Sequence, residues 1–122
     1  MAYFRCSSGS GGSGGYSLLK TEQMQFTNKV GSLSGLTSGK EYMIIFSWGW
    51  SNTNEGADTK ISTMTNTTNL TRVDSGQEGN GTVYCNTYWS IYTFKATGTT
   101  STVTKTNQPN SVKGRYFLFE KA

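Results

Sequence analysis

A chain of 122 residues has room for one domain and is long enough to bury a core of its own. With 34% hydrophobic and 15% charged residues, most of the balance is Thr, Ser, Asn and Gly, and 13% aromatic residues exclude a disordered polyelectrolyte. The net charge of +4 comes from eleven basic residues that never form a run; this excludes the clustered footprint that binding to nucleic acid needs, and solvated lysines guarding strand edges account for the pattern.

Residues 1–15 separate from the rest as an arm. The tip, MAYFRC, carries Tyr3, Phe4, Arg5 and Cys6, and the run SSGSGGSGG that follows has the composition of a flexible linker. On composition alone it reads equally as a solvated tail. Fully extended, fifteen residues span about 50 Å, more than a small domain needs for itself. The opening lacks the apolar stretch of a secretory signal, and the longest apolar run, 42–46, is far too short for a membrane span.

Residues 16–122 read as one all-β domain. Thr, Tyr, Phe and Trp suit pleated, half-buried surfaces, while Gly and Asn suit the turns between them. Strands are predicted near 16–20, 22–28, 40–50, 58–65, 69–74, 82–95, 99–106 and 113–121. The clearest is 40–50, where Tyr42, Ile44, Phe46, Trp48 and Trp50 alternate against Met43 and Ile45, as in a strand near the middle of a packed sheet. Trp89 and Ile91 share a face opposite Tyr88, Tyr92 and Phe94, and Tyr116 and Leu118 oppose Phe117 and Phe119. Thr100, Thr102, Thr104 and Thr106 oppose Val103, the pattern of an edge or half-exposed strand. Turn signals fall at Gly31, Gly35, Ser38-Gly39, Asn54-Glu55-Gly56, Ser75-Gly76, Gly79-Asn80-Gly81, Gly98 and Gln108-Pro109-Asn110. The expected architecture is an antiparallel β-sandwich or jelly roll of seven or eight strands, with the extended arm attached.

The chain contains no histidine, the residue most used as a general base near neutral pH. With two cysteines, Cys6 and Cys85, it cannot build a zinc site from N and S ligands within one chain. The two read as free thiols or as a bridge from arm to body. No nucleophile elbow or phosphate-cradling loop occurs. The polar segment 52–58 spaces oxygen ligands loosely like a calcium loop but puts Gly56 where a ligand should be and has no acidic residue at its end, so it reads as a hairpin tip. Three Asn-x-Thr triplets, at Asn66, Asn69 and Asn80, read as coincidence in so Asn- and Thr-rich a chain. No enzyme, cofactor or metal is expected.

Two kinds of binding remain. The aromatic tip of the arm, Tyr3 to Cys6, is suited to docking on another subunit. Trp48, Trp50, Tyr88 and Trp89 are candidates for a glycan platform, since exposed rings stack on sugar faces; alternating tryptophans also simply fill a sandwich core.

The opening MAYFRC with its Ser/Gly run, together with the closing GRYFLFEKA, resembles small structural proteins of bacteriophages infecting gut Firmicutes. The resemblance is specific over about the first fifteen residues and one of texture elsewhere. It implies a virion component, made in the bacterial cytoplasm, that decorates the head or forms part of a tail or fibre. Its partners would be other virion proteins or its own copies, with a cell-surface glycan as the alternative.

Overall fold

The structure, a computed structural model, describes residues 15–50, 60–78, 86–107 and 109–122, the side chains of Trp50 and Asn86 apart. Eight strands account for most of it: β1 (Tyr16–Phe26), β2 (Val30–Ser34), β3 (Glu41–Trp50), β4 (Ile61–Met64), β5 (Thr67–Glu78), β6 (Asn86–Ala96), β7 (Thr100–Lys105) and β8 (Val112–Lys121). They form a five-stranded sheet, β1-β8-β3-β6-β5, packed against a three-stranded sheet, β2-β7-β4. The pairs β1–β8, β2–β7 and β3–β6 are antiparallel and nested, like one long hairpin rolled on itself. This is an antiparallel β-sandwich in which β5 continues the larger sheet beside β6.

The chain changes sheet at tight corners. Asn28 and Lys29 both take positive φ, 50° and 71°, and reciprocal bonds between Thr27 and Val30 (2.9 and 3.0 Å) close a two-residue turn between β1 and β2. Thr65 and Asn66 turn the chain from β4 into β5, again with Asn66 at positive φ.

The core lies between the sheets. From β3 come Tyr42, Ile44, Phe46 and Trp48, from β6 Tyr88, Tyr92 and Phe94, and from β8 Tyr116 and Leu118; Leu33, Ile61, Met64 and Val103 face them from the smaller sheet. Tyr42 stacks on Phe94 at 5.5 Å, and Phe26 meets Trp48 edge-on at 5.3 Å. Buried tyrosines place their hydroxyls at the sandwich seams. The Ile61 amide donates to Tyr92 Oη at 2.7 Å, and the Thr37 amide to Tyr42 Oη at 2.7 Å.

Several local expectations change. The stretches 16–20 and 22–28 are one strand, β1, with a bulge between Leu18 and Lys20. Strand β2 was not expected, because Gly31 reads as a turn; here Gly31 is a buried strand residue, and a Cβ would lie 3.0 Å from Met24 Cγ and Sδ. Ser75-Gly76 likewise continues β5 instead of breaking it. Strand β7 is half-exposed as expected, but it is the middle strand of its sheet and no edge. Nor is every lysine solvated: Lys105 is 1% exposed.

Candidate functional site

Opposite faces of the large sheet differ in what covers them. Its inner face meets the smaller sheet, whereas no described element lies over its outer face. Register assembles that outer face row by row. Leu18, Phe119, Met43, Thr93 and Thr71 form one row across β1, β8, β3, β6 and β5; Thr21, Phe117, Ile45, Ile91 and Asp74 form the next. Gln23, Arg115, Ser47, Trp89 and Gly76 form the third.

The three central strands are therefore apolar on both faces. A solvated sheet face normally alternates to polar residues, yet Phe117, Ile45, Ile91 and Trp89 are half-buried side by side here, with Leu18 50% and Leu19 46% exposed at the margin. Charged residues frame the patch. At one end the Lys121 ammonium lies 3.4 Å from Glu41 on this face, and on the inner-face side of the same end Lys40 donates to Glu120 at 2.9 Å, which raises the Lys40 pKa above the ordinary lysine value. A shallow depression lined by Gly39, Lys40, Glu41, Lys121 and Ala122 sits at this end. An apolar patch rimmed by polar groups is the usual form of a contact surface.

Its size sets what it can do. Five strands about 4.8 Å apart and three rows about 6.6 Å apart cover roughly 500 Å². A stable interface buries about 800 Å² on each partner, so the face alone supports a weak contact.

Of the proposed glycan platform, Trp48 and Tyr88 are core residues, 3% and 2% exposed, and present no ring to solvent. Trp89 lies on the opposite face of the sheet, so Trp48 and Trp89 cannot belong to one platform. The side chain of Trp50 falls outside the described residues, as do Tyr3, Phe4, Arg5, Cys6, Cys85 and the segment 52–58. Among the described residues no group of three metal-ligating side chains occurs.

Sequence reasoning passed over the outer face, although a signal for it was present. Met43 and Ile45 on β3, Phe117 and Phe119 on β8, and Trp89 and Ile91 on β6 each place apolar residues opposite an already apolar face. Three adjacent strands with that pattern describe a sheet that expects cover on both sides.

Lys105 is the one charge set deep in the described interior, and its chemistry is structural. Its ammonium donates to the carbonyls of Thr106, Asn107 and Pro109 at 2.9, 2.7 and 2.7 Å, which fills three donor positions and ties down the loop between β7 and β8.

No protein-family model, curated protein or solved structure matches the chain.

Proposed function

We propose that this protein is a non-enzymatic assembly component of a bacteriophage virion, on the head or in a tail or fibre, working through its N-terminal arm and the outer face of its large sheet. The observation that carries the reading is that outer face, where Phe117, Ile45 and Ile91 adjoin in one row with nothing described above them. A contact of roughly 500 Å² is weak on its own, but repetition in a symmetric array multiplies weak contacts, and an arm adds a second point of attachment. The opening MAYFRC, the Ser/Gly run and the closing GRYFLFEKA support the virion context by resemblance. Among the described side chains of that platform, a glycan-binding role is left with Trp89, which is half-buried and has no second ring in its row.

The test is solution mass by light scattering across a concentration series. The full chain is expected to form a discrete oligomer that falls to monomer when residues 1–15 are removed, or when Ile45→Thr and Phe117→Thr are combined. A full chain that stays monomeric throughout, alone and at high protein concentration, overturns self-assembly.

A further inference from the structure

Two residues of the outer face are buried more deeply than their position explains. Met43 and Phe119 are 6% and 7% exposed, as low as Met64 and Ile61 of the core, yet neither belongs to the core cluster between the sheets. Both lie on the outer face by register, since Ile44 and Leu118 beside them point inward. The neighbouring row has as many apolar residues, yet its Phe117, Ile45 and Ile91 are only half-buried. Packing along the face alone would bury the two rows alike. The charged row beyond does not supply the cover: Lys121 and Glu41 engage each other, and their side chains remain 34% and 55% exposed.

Position selects what does. The segments 51–59 and 79–85 join the sheet at Trp50, Glu78 and Asn86, whereas Met43 is seven residues back along β3, about 23 Å away. The N-terminal segment instead enters beside the buried pair. The Ala122 amide donates to the Gly15 carbonyl at 2.9 Å, Tyr16 pairs with Lys121, and Phe119 follows two residues along. From Gly15 to Phe119 is about 10 Å along the strand and to Phe117 about 17 Å. A nine-residue Ser/Gly linker has a root-mean-square span of about 15–18 Å. The linker thus delivers residues 1–6 to the two apolar rows at close to the highest effective concentration a tether can reach. The tip brings Tyr3 and Phe4, rings suited to an apolar seat.

We propose that the outer face of the five-stranded sheet, centred on Met43 and Phe119, is the seat of the chain's own aromatic tip, Tyr3 and Phe4. The tip caps the face in the single chain, and assembly proceeds by exchanging the same contact with a neighbour, as in a domain swap. This extends the assembly reading by naming where the arm binds. Its test separates the two, because it is read on the monomer.

The experiment is methyl NMR of the full chain at concentrations where light scattering reports monomer, against a chain carrying Tyr3→Ser and Phe4→Ser and a second lacking residues 1–6. In both variants the Met43, Ile45 and Leu18 methyl resonances are expected to move, having lost aromatic ring currents, while those of Ile44, Leu33 and Leu118 stay in place. The shifts should not depend on dilution. Outer-face methyls that stay in place overturn the proposal, and so do shifts shared equally by the core methyls. Shifts that fade on dilution of the full chain also overturn it, and assign the seat to a neighbour's arm. Solution mass does not enter any of these outcomes, so an arm that docks on a chain that never oligomerises still supports the seat while the assembly reading falls.

Discussion

The ammonium of Lys105 lies 5.4 Å from the ring centre of Trp48, while its protons are given to three loop carbonyls. A cation on an aromatic face gains about 1–2 kcal/mol when water is excluded. The three carbonyls gain more, because each would otherwise lose its partner in a buried site. Lys105→Met keeps the stem and removes the donors, and it is expected to destabilise the fold by about 2–4 kcal/mol. Urea denaturation checks this: the midpoint should fall with little change in slope.

Two glycines under tryptophans separate a rigid contact from a yielding one. A Cβ at Gly114 would stand 2.6 Å from the Ser47 carbonyl oxygen and 2.9 Å from Trp48 Cβ, so β8 and β3 would have to part. Gly114→Ala is expected to cost about 1–3 kcal/mol. At Gly76 the nearest atom is Trp89 Cζ2, 2.7 Å away, at the far end of a half-buried ring on the open face. Gly76→Ala should cost less than about 1 kcal/mol, partly offset by reduced freedom of the unfolded chain. The same denaturation series compares the two, and tryptophan emission should shift toward the red only in Gly76→Ala.

Adjacent isoleucines on β3 report which face is core. Ile44 is fully buried between the sheets, whereas Ile45 lies half-buried on the outer face. Ile44→Thr is expected to lose about 2–4 kcal/mol, since it removes a methyl and buries a hydroxyl. Ile45→Thr should lose under about 1 kcal/mol and act instead on self-association. Thermal melts and light scattering on the two variants check the contrast.

High pH should weaken the fold through Tyr116. Burial of its hydroxyl, then its hydrogen bond to Glu22 Oε2 at 3.0 Å, hold its pKa well above the ordinary tyrosine value. The unfolded chain loses that proton near pH 10 while the folded chain keeps it, so the folded state binds more protons there. Stability contributed by this group is present below about pH 10 and declines as pH rises beyond it, by at most about 1.4 kcal/mol per pH unit. Denaturation midpoints between neutral pH and pH 11 should fall less steeply in Tyr116→Phe than in the unsubstituted protein.

How much of this was legible in the sequence depended on the range of the interaction. Alternation along β3, β6 and β8 sorted their residues onto the two faces that the structure has, without saying which is inner, because the period of two is local and Tyr42, Ile44, Phe46 and Trp48 repeat it four times. Strand β2 escaped because Gly31 is small for a reason five to seven residues away in sequence but across the sandwich in space: Met24 and Phe26 occupy the room a side chain would need. Gly76 is the same case, with Trp89 on the neighbouring strand as the cause. Lys105 looked like any other solvated lysine, since the carbonyls that bind it belong to a loop whose shape the sequence does not display. The outer face was spelled out in Met43, Ile45, Phe117 and Phe119, but its meaning required knowing that β8, β3 and β6 are neighbours.

The pairing of β1 with β8 also dictates when this protein can fold. Tyr16 and Lys121 are register partners separated by roughly a hundred residues, so the first strand has no place in its sheet until the last has left the ribosome. At about 5–20 residues per second, β1 waits roughly 5–20 s for its partner. Non-local pairings of this kind give a high contact order and slow folding. A nascent chain stopped before β8 would hold β3 and β1 with unpaired edges, and a chaperone that shields such edges during synthesis would raise the yield of folded protein more than one acting after release.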